Sequence, residues 1–173
     1  MSVGVSGEHL PDGDAPAATL TQEAVQFIEQ VDGITSGLAR SGIRRLLFVN
    51  GHGGNIAALD IAALNARRRH GMIVANAHWL DFGLPDGLAD AAEAKADVHG
   101  GWIETSLMLD LAPETVLMDR AKANPPRQAE GSLLFPSGPV NWGWKSRDLA
   151  PGGWIGHPER AAREIGIRLR DHA

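Results

Sequence analysis

Arg44-Arg45-Leu46-Leu47-Phe48-Val49-Asn50 runs straight into Gly51-His52-Gly53-Gly54-Asn55, and the reading of these residues decides the fold. The unbroken apolar run, bounded by Gly42 and Gly51, predicts a buried parallel strand. The glycines predict a tight turn. Asn55 is placed to cap a helix over about residues 55–69, with Ile56, Leu59, Ala63 and Ala66 as its apolar stripe. Arg67, Arg68 and Arg69 fall in its last turn, where cations complement the carbonyl end of the helix. Those arginines could instead hold an anion; a solvated helix end is the plainer reading. A second strand is predicted over residues 72–77. Upstream, Ala24, Ile28, Val31 and Leu38 recur at helical spacing. They predict a helix over residues 21–40, opened by a capping box from Thr19 to Gln22 and closed by Gly42. Helix, strand, helix, strand at this spacing is the pattern of an α/β fold with a parallel sheet.

Downstream the pattern loosens. Residues 86–99 are alanine-rich and acidic, fitting a helix or an irregular excursion. Residues 102–111 predict a helix stopped by Pro113, and residues 158–170 a closing helix with Pro158 in its first turn. Between them, residues 124–158 are rich in Pro, Gly and Trp and predict a long loop or flap. Trp142, Trp144 and Trp154 either cover a pocket or pack a small satellite core there.

The whole chain has 173 residues, 43% apolar and 21% charged, which suits one globular domain over residues 1–173. It contains no cysteine, which removes disulfides, thiolate metal sites and cysteine nucleophiles together. A net charge of −5 argues against sequence-independent nucleic-acid binding. No apolar run reaches the ~20 residues that span a bilayer. The first residues show no basic and then apolar leader, so a cytoplasmic location is expected.

Three segments could carry chemistry. In Asn50-Gly51-His52-Gly53-Gly54-Asn55, an imidazole stands where a strand feeds a helix, and ligands bind at that edge of open α/β sheets. A phosphate cradle is the rival reading, but the glycine spacing fits neither the Walker nor the dinucleotide pattern. In His99-Gly100-Gly101-Trp102-Ile103-Glu104, an imidazole precedes by five residues a carboxylate in the first turn of a helix. That carboxylate is favoured there by the helix dipole and suits a hard metal ion. It could equally cap its own helix, with His99 at the surface. In Ser6-Gly7-Glu8-His9, adjacent Glu and His fit a metal or substrate contact, or a solvated loop. His157 and His172 have no glycine or acid context that assigns them.

These motifs together resemble the creatininase family of metal-dependent amidohydrolases. The resemblance rests on N-G-H-G-G-N after an apolar strand, on H-G-G-W-I-E-T-S-L-M-L and a late Gly156-His157-Pro158 turn, and on S-G-E-H upstream at similar spacing. It implies a three-layer α/β/α sandwich with a mainly parallel central sheet. It also implies a centre of two divalent metals, usually zinc, manganese or iron, and hydrolysis of a non-peptide C–N bond in a cyclic or linear amide. A homo-oligomer acting on a small-molecule amide is the implied setting, with neither nucleic acid nor membrane as partner. By position, His52 matches the metal-ligating histidine of the glycine loop and Glu104 a metal-site carboxylate. His99 matches the histidine that relays a proton to substrate. Ser6, Glu8 and His9 match a segment lining the same cleft.

The chain departs from the family in three places. The resemblance aligns Met1 near the S-G-E-H segment, so the family's upstream Glu-x-His and metal-bridging Asp are expected to be missing. Glu8, His9, Asp12 and Asp14 could partly imitate them. Creatinine-cleaving members carry Glu two residues after the loop histidine, where this chain has Gly54, and the Phe-Pro-Gly-Thr after S-G-E-H is absent. The expected behaviour is incomplete metal binding by the chain alone. An exposed sheet edge is also expected, one that a neighbouring copy would cover. Two alternatives stand beside the hydrolase: a catalytically incomplete family remnant acting as a metal-binding or interaction protein, and an anion-binding module built on the glycine loop.

Overall fold

The 17-residue helix α1 (Ala24–Arg40) forms because Phe27, Val31 and Thr35 return to one face every turn or so and are buried there. It ends as its sequence dictates. Gly42 takes φ +87°, and the N–H groups of Gly42 and Ile43 turn back to the carbonyls of Ala39 and Leu38 at 3.1 and 3.0 Å. This is a Schellman closure, which a side chain at residue 42 would strain. The computed structural model describes residues 22–127, 132–136, 139–140 and 142–173. The predicted capping box begins at Thr19, outside the described residues.

The described residues fall into two compact units, one ending at Phe82 and one starting at Gly83. In the first, α1 leads to strand β1 (Arg45–Asn50), a single 3-10 turn at Gly53–Asn55, helix α2 (Ile56–His70) and strand β2 (Ile73–His78). The two strands pair in parallel, from Arg45 opposite Ile73 to Asn50 opposite His78. The right elements are therefore in the order the sequence predicts, and the α/β class holds. Phe27 and Val31 of α1 meet Ala58, Leu59 and Ala62 of α2, with Ile28 and the β1 residue Phe48 packed against them. Asp32 ties the helices together through Arg69 Nη1 at 2.7 Å and Asn65 Nδ2 at 3.1 Å.

Two expectations need correction here. Asn55 does not cap α2: it lies in the helical region with no side-chain cap bond, because the chain has already coiled through the 3-10 turn before α2 starts. Its side chain instead makes a long 3.5 Å contact to Asn50 Oδ1. Nor is β1 buried on both faces. Phe48 faces the helices, while Leu47 and Val49 are 59% and 79% exposed on the other side.

The second unit contains helices α3 (Ala91–Ala96), α4 (Trp102–Leu111), α5 (Ser146–Leu149) and α6 (Arg163–His172). Asp90 caps α3 by accepting the Glu93 N–H at 2.7 Å. Helix α4 has the predicted bounds. The closing helix starts later than predicted. Pro158 opens a separate 3-10 turn, Pro158–Arg160, and α6 begins at Arg163, where Ser106 Oγ of α4 accepts the Ala162 N–H at 3.1 Å. Gly166 of α6 lies directly on α4, with no room for a side chain between them. Trp142 and Trp144 pack against Leu149, Ala150 and Ile155, so these two indoles build a satellite core.

Candidate active site

His52 belongs to the first unit and stands two residues past the end of β1, at the carboxyl edge of the parallel pair, as its sequence context predicts. Its backbone is extended at φ −138° and ψ 121°, and its N–H donates to Asn50 Oδ1 at 3.2 Å. Asn50 is buried, and its own carbonyl faces His78 Nδ1 at 3.0 Å. A carbonyl only accepts, so His78 carries its proton on Nδ1. The sequence reading passed over His78. Its place directly after the predicted second strand, residues 72–77, was the available signal.

The second unit holds His99 and Glu104. Antiparallel pairing of His99 with Ile155 fixes the turn: Ile155 N–H donates to the His99 carbonyl at 2.6 Å, and His99 N–H returns to the Ile155 carbonyl at 3.0 Å. Glu104, in the first turn of α4, accepts the Gly100 N–H on Oε2 at 2.5 Å. The same oxygen lies 3.8 Å from His99 Nδ1, at ion-pair rather than hydrogen-bond distance. The structure thus brings these two expected residues together, each partly exposed. Ser6, Glu8 and His9 lie outside the described residues.

Asp97 organises this corner, and the sequence reading missed it. Gly101, at the N-cap position of α4, has no side chain to offer. Asp97 replaces it: Oδ1 accepts the Trp102 N–H and Oδ2 the Ile103 N–H, both at 2.9 Å. Oδ1 also takes the His157 N–H at 3.4 Å. Burial raises the Asp97 carboxyl above its ordinary pKa. The N–H groups of Ile103, Trp102 and His157 pull it back, and the Glu104 charge pushes it up further. An acid just ahead of a glycine-framed helix start was the usable signal.

His157, left unassigned by the sequence, also has a carboxylate. Its Nδ1 lies 3.0 Å from Glu159 Oε1. Burial works against it, yet the His157 hydrogen bond, a backbone N–H and the charges of His157 and Arg160 hold Glu159 below its ordinary pKa. Beside this corner a cleft of about 490 Å³ is lined by Gly100, Glu104, Met108, Leu117, Trp154 and Pro158 among others. Trp154 is thereby the tryptophan that borders a pocket.

The donor chemistry suits a divalent ion in kind, with imidazole nitrogen and carboxylate oxygen. In number it falls short. Among the described residues no group of three or more His, Cys, Asp or Glu is clustered to hold a metal. Asp97 does not make up the deficit, because both of its oxygens are committed to backbone N–H groups. No described helix is long and apolar enough to cross a membrane.

Comparison with known proteins matches the whole chain, residues 1–173, to the family model described as creatininase, creatinine amidohydrolase. A mycofactocin precursor peptide peptidase of Mycobacterium ulcerans (strain Agy99) is 32% identical over 169 residues, covering 98% of this chain and 58% of the relative. Creatinine amidohydrolase of Pseudomonas putida is 32% identical over 174 residues, covering 92% of this chain and 61% of the relative. The chain therefore spans well under two thirds of these curated relatives. A crystal structure from Bacteroides fragilis NCTC 9343 matches with a TM-score of 0.77 at 24% identity, over 98% of this chain and 64% of that one, and shares the fold. Similar creatininase structures, at TM-score 0.65 and 27% identity, include a manganese form and a mutant of Zn-Zn type.

Proposed function

The chain belongs to the creatininase family, and on that premise we propose that it works as a metal-dependent hydrolase cleaving a non-peptide C–N bond of a cyclic or linear amide. The observation that carries this reading is the His99–Glu104 corner: an imidazole 3.8 Å from a carboxylate at the start of a helix, beside a cleft. His52 in the first unit and Glu104 in the second are each proposed as a metal ligand. A divalent zinc, manganese or iron ion would, when bound, supply an activated water and polarise the scissile carbonyl. His99 carries a proton to the leaving nitrogen, a task that an imidazole performs near neutral pH. Glu104 lies at ion-pair distance from that imidazole, and the Gly100 N–H holds the carboxylate. Ser6, Glu8 and His9 are proposed, from the family resemblance, as substrate contacts. A homo-oligomer in the cytoplasm is the proposed setting.

A second reading concerns the bond. The peptidase relatives are 32–34% identical to this chain, and Gly54 stands where creatinine-cleaving members carry Glu. Both favour a peptide-bond amide over creatinine.

The test is metal content of the purified chain together with turnover of creatinine, simple cyclic amides and short peptides. The wild type is expected to bind zinc, manganese or iron at less than full occupancy, and His52→Ala and Glu104→Gln to lower that occupancy further. His99→Gln is expected to lower kcat by about 10²–10⁴-fold with metal retained. A chain with neither metal nor turnover would overturn the hydrolase in favour of an interaction protein.

A further inference from the structure

Asp97 does more than a helix cap requires. Asp90 shows what capping alone looks like: an exposed carboxylate taking one N–H, that of Glu93, within its own helix. Asp97 takes two N–H groups from the first turn of α4 and a third from His157, 60 residues later. No lysine or arginine pairs with it among the described residues. Two glycines make way for it. A Cβ on Gly101 would stand 1.7 Å from Asp97 Oδ1, and a Cβ on Gly156 2.3 Å from the same atom. The sequence has therefore left side chains out on both sides of one carboxylate. The segments it joins each end in an imidazole facing a carboxylate, His99 with Glu104 and His157 with Glu159.

We propose that Asp97 is a positioning residue of the site, its single carboxylate fixing the His99–Glu104 corner and holding the His157–Glu159 pair against the same helix start. The consequence is that two imidazoles with a carboxylate neighbour, not one, are available for proton transfer to and from an amide. The Glu159 partner takes Nδ1 of His157 and leaves its Nε2 for substrate or water. This inference rests on the hydrolase reading for its catalytic meaning but on geometry alone for the positioning.

The experiment follows the ring resonances of the histidines by ¹H–¹³C NMR in Asp97→Asn, Asp97→Ala and Gly101→Ala, with Asp90→Ala as the capping control. Asn keeps one acceptor oxygen and Ala none, while the Gly101→Ala methyl enters the carboxylate from the other side. In folded Asp97 variants, both the His99 and His157 signals are expected to shift, and those of His52 and His78 to stay. The control is expected to lower the thermal midpoint without moving any ring. If Asp97→Ala does not fold, Asp97→Asn decides. On any amide that the wild type turns over, Asp97→Asn is expected to lower kcat by about 10²-fold with KM little changed. Unmoved His99 and His157 signals in a folded Asp97 variant would overturn the proposal, as would a shift of one ring only. Failure of the hydrolase reading would appear separately, as a wild type without turnover whose ring signals still respond to Asp97.

Discussion

Gly166 lies so close to Ser106 that a Cβ on it would stand 2.0 Å from the Ser106 carbonyl oxygen. This contact sets how near α6 comes to α4, the helix that carries Glu104. The obstacle is backbone, which cannot rotate away as a side chain would. Gly166→Ala should therefore cost about 1–3 kcal/mol, the usual range for overpacking, despite alanine's better helix propensity. Urea denaturation measures it; a stabilised variant would mean the helices separate without penalty.

The two faces of β1 should respond oppositely to substitution. Phe48 packs on the core formed by α1 and α2, so Phe48→Ala should cost about 2–4 kcal/mol, below the full-burial range because the ring is only partly buried. Leu47 is 59% exposed, and Leu47→Thr should stay within about 0.5 kcal/mol. Paired chemical denaturation checks the contrast, and equal losses would show the outer face to be covered in solution.

Asp32 should matter more than its partner Arg69. The Asp32 side chain is 15% exposed and accepts from both Arg69 and Asn65, whereas Arg69 is 58% exposed. Asp32→Ala should cost about 1–3 kcal/mol, and Arg69→Ala under about 1 kcal/mol because solvent screens that charge. A double-mutant cycle gives the coupling directly; a larger loss from Arg69→Ala would reverse the assignment.

Acid should relieve a strain at Asp97. Burial makes the folded chain hold this proton more tightly than the unfolded one. From about pH 3.8 upward the folded state then carries more protons, so the contribution of this group to stability falls as pH rises through its raised pKa. Asparagine does not titrate. The stability of wild type minus that of Asp97→Asn should therefore decline from acid toward neutral pH, read from thermal midpoints at stepped pH. A difference that is flat or rises with pH would contradict the direction of the shift.

Local periodicity carried the parts of the fold that were legible. Helices α1, α2 and α4 and both strands follow from apolar spacing and from glycine at helix ends, which are properties of neighbours in sequence. His99 and Glu104 were legible as a pair because one helix start holds both. Three things were not. The outward face of Leu47 and Val49 depends on what packs there, and an apolar run reads the same whether one face is covered or two. The bond from Asp97 to His157 joins residues far apart, so no window of sequence contains it. The 3-10 turn that deprives Asn55 of its capping role is a choice between two tight coils, decided by where Asn50 and His52 anchor the loop.

Trp154 donates its indole N–H to the Lys122 carbonyl at 2.8 Å and lies so close over Gly152 that a Cβ there would meet the ring at 2.7 Å. It also borders the cleft that contains Glu104. The chain thus carries its own fluorophore in the lining of the cleft, tied by a hydrogen bond. Trp102 is buried, and Trp142 and Trp144 sit in a packed cluster, so their emission should report folding. Trp154 emission should respond instead to whatever enters the cleft. Compounds can then be sorted by quenching or spectral shift before any turnover is known, with Trp154→Phe as the blank.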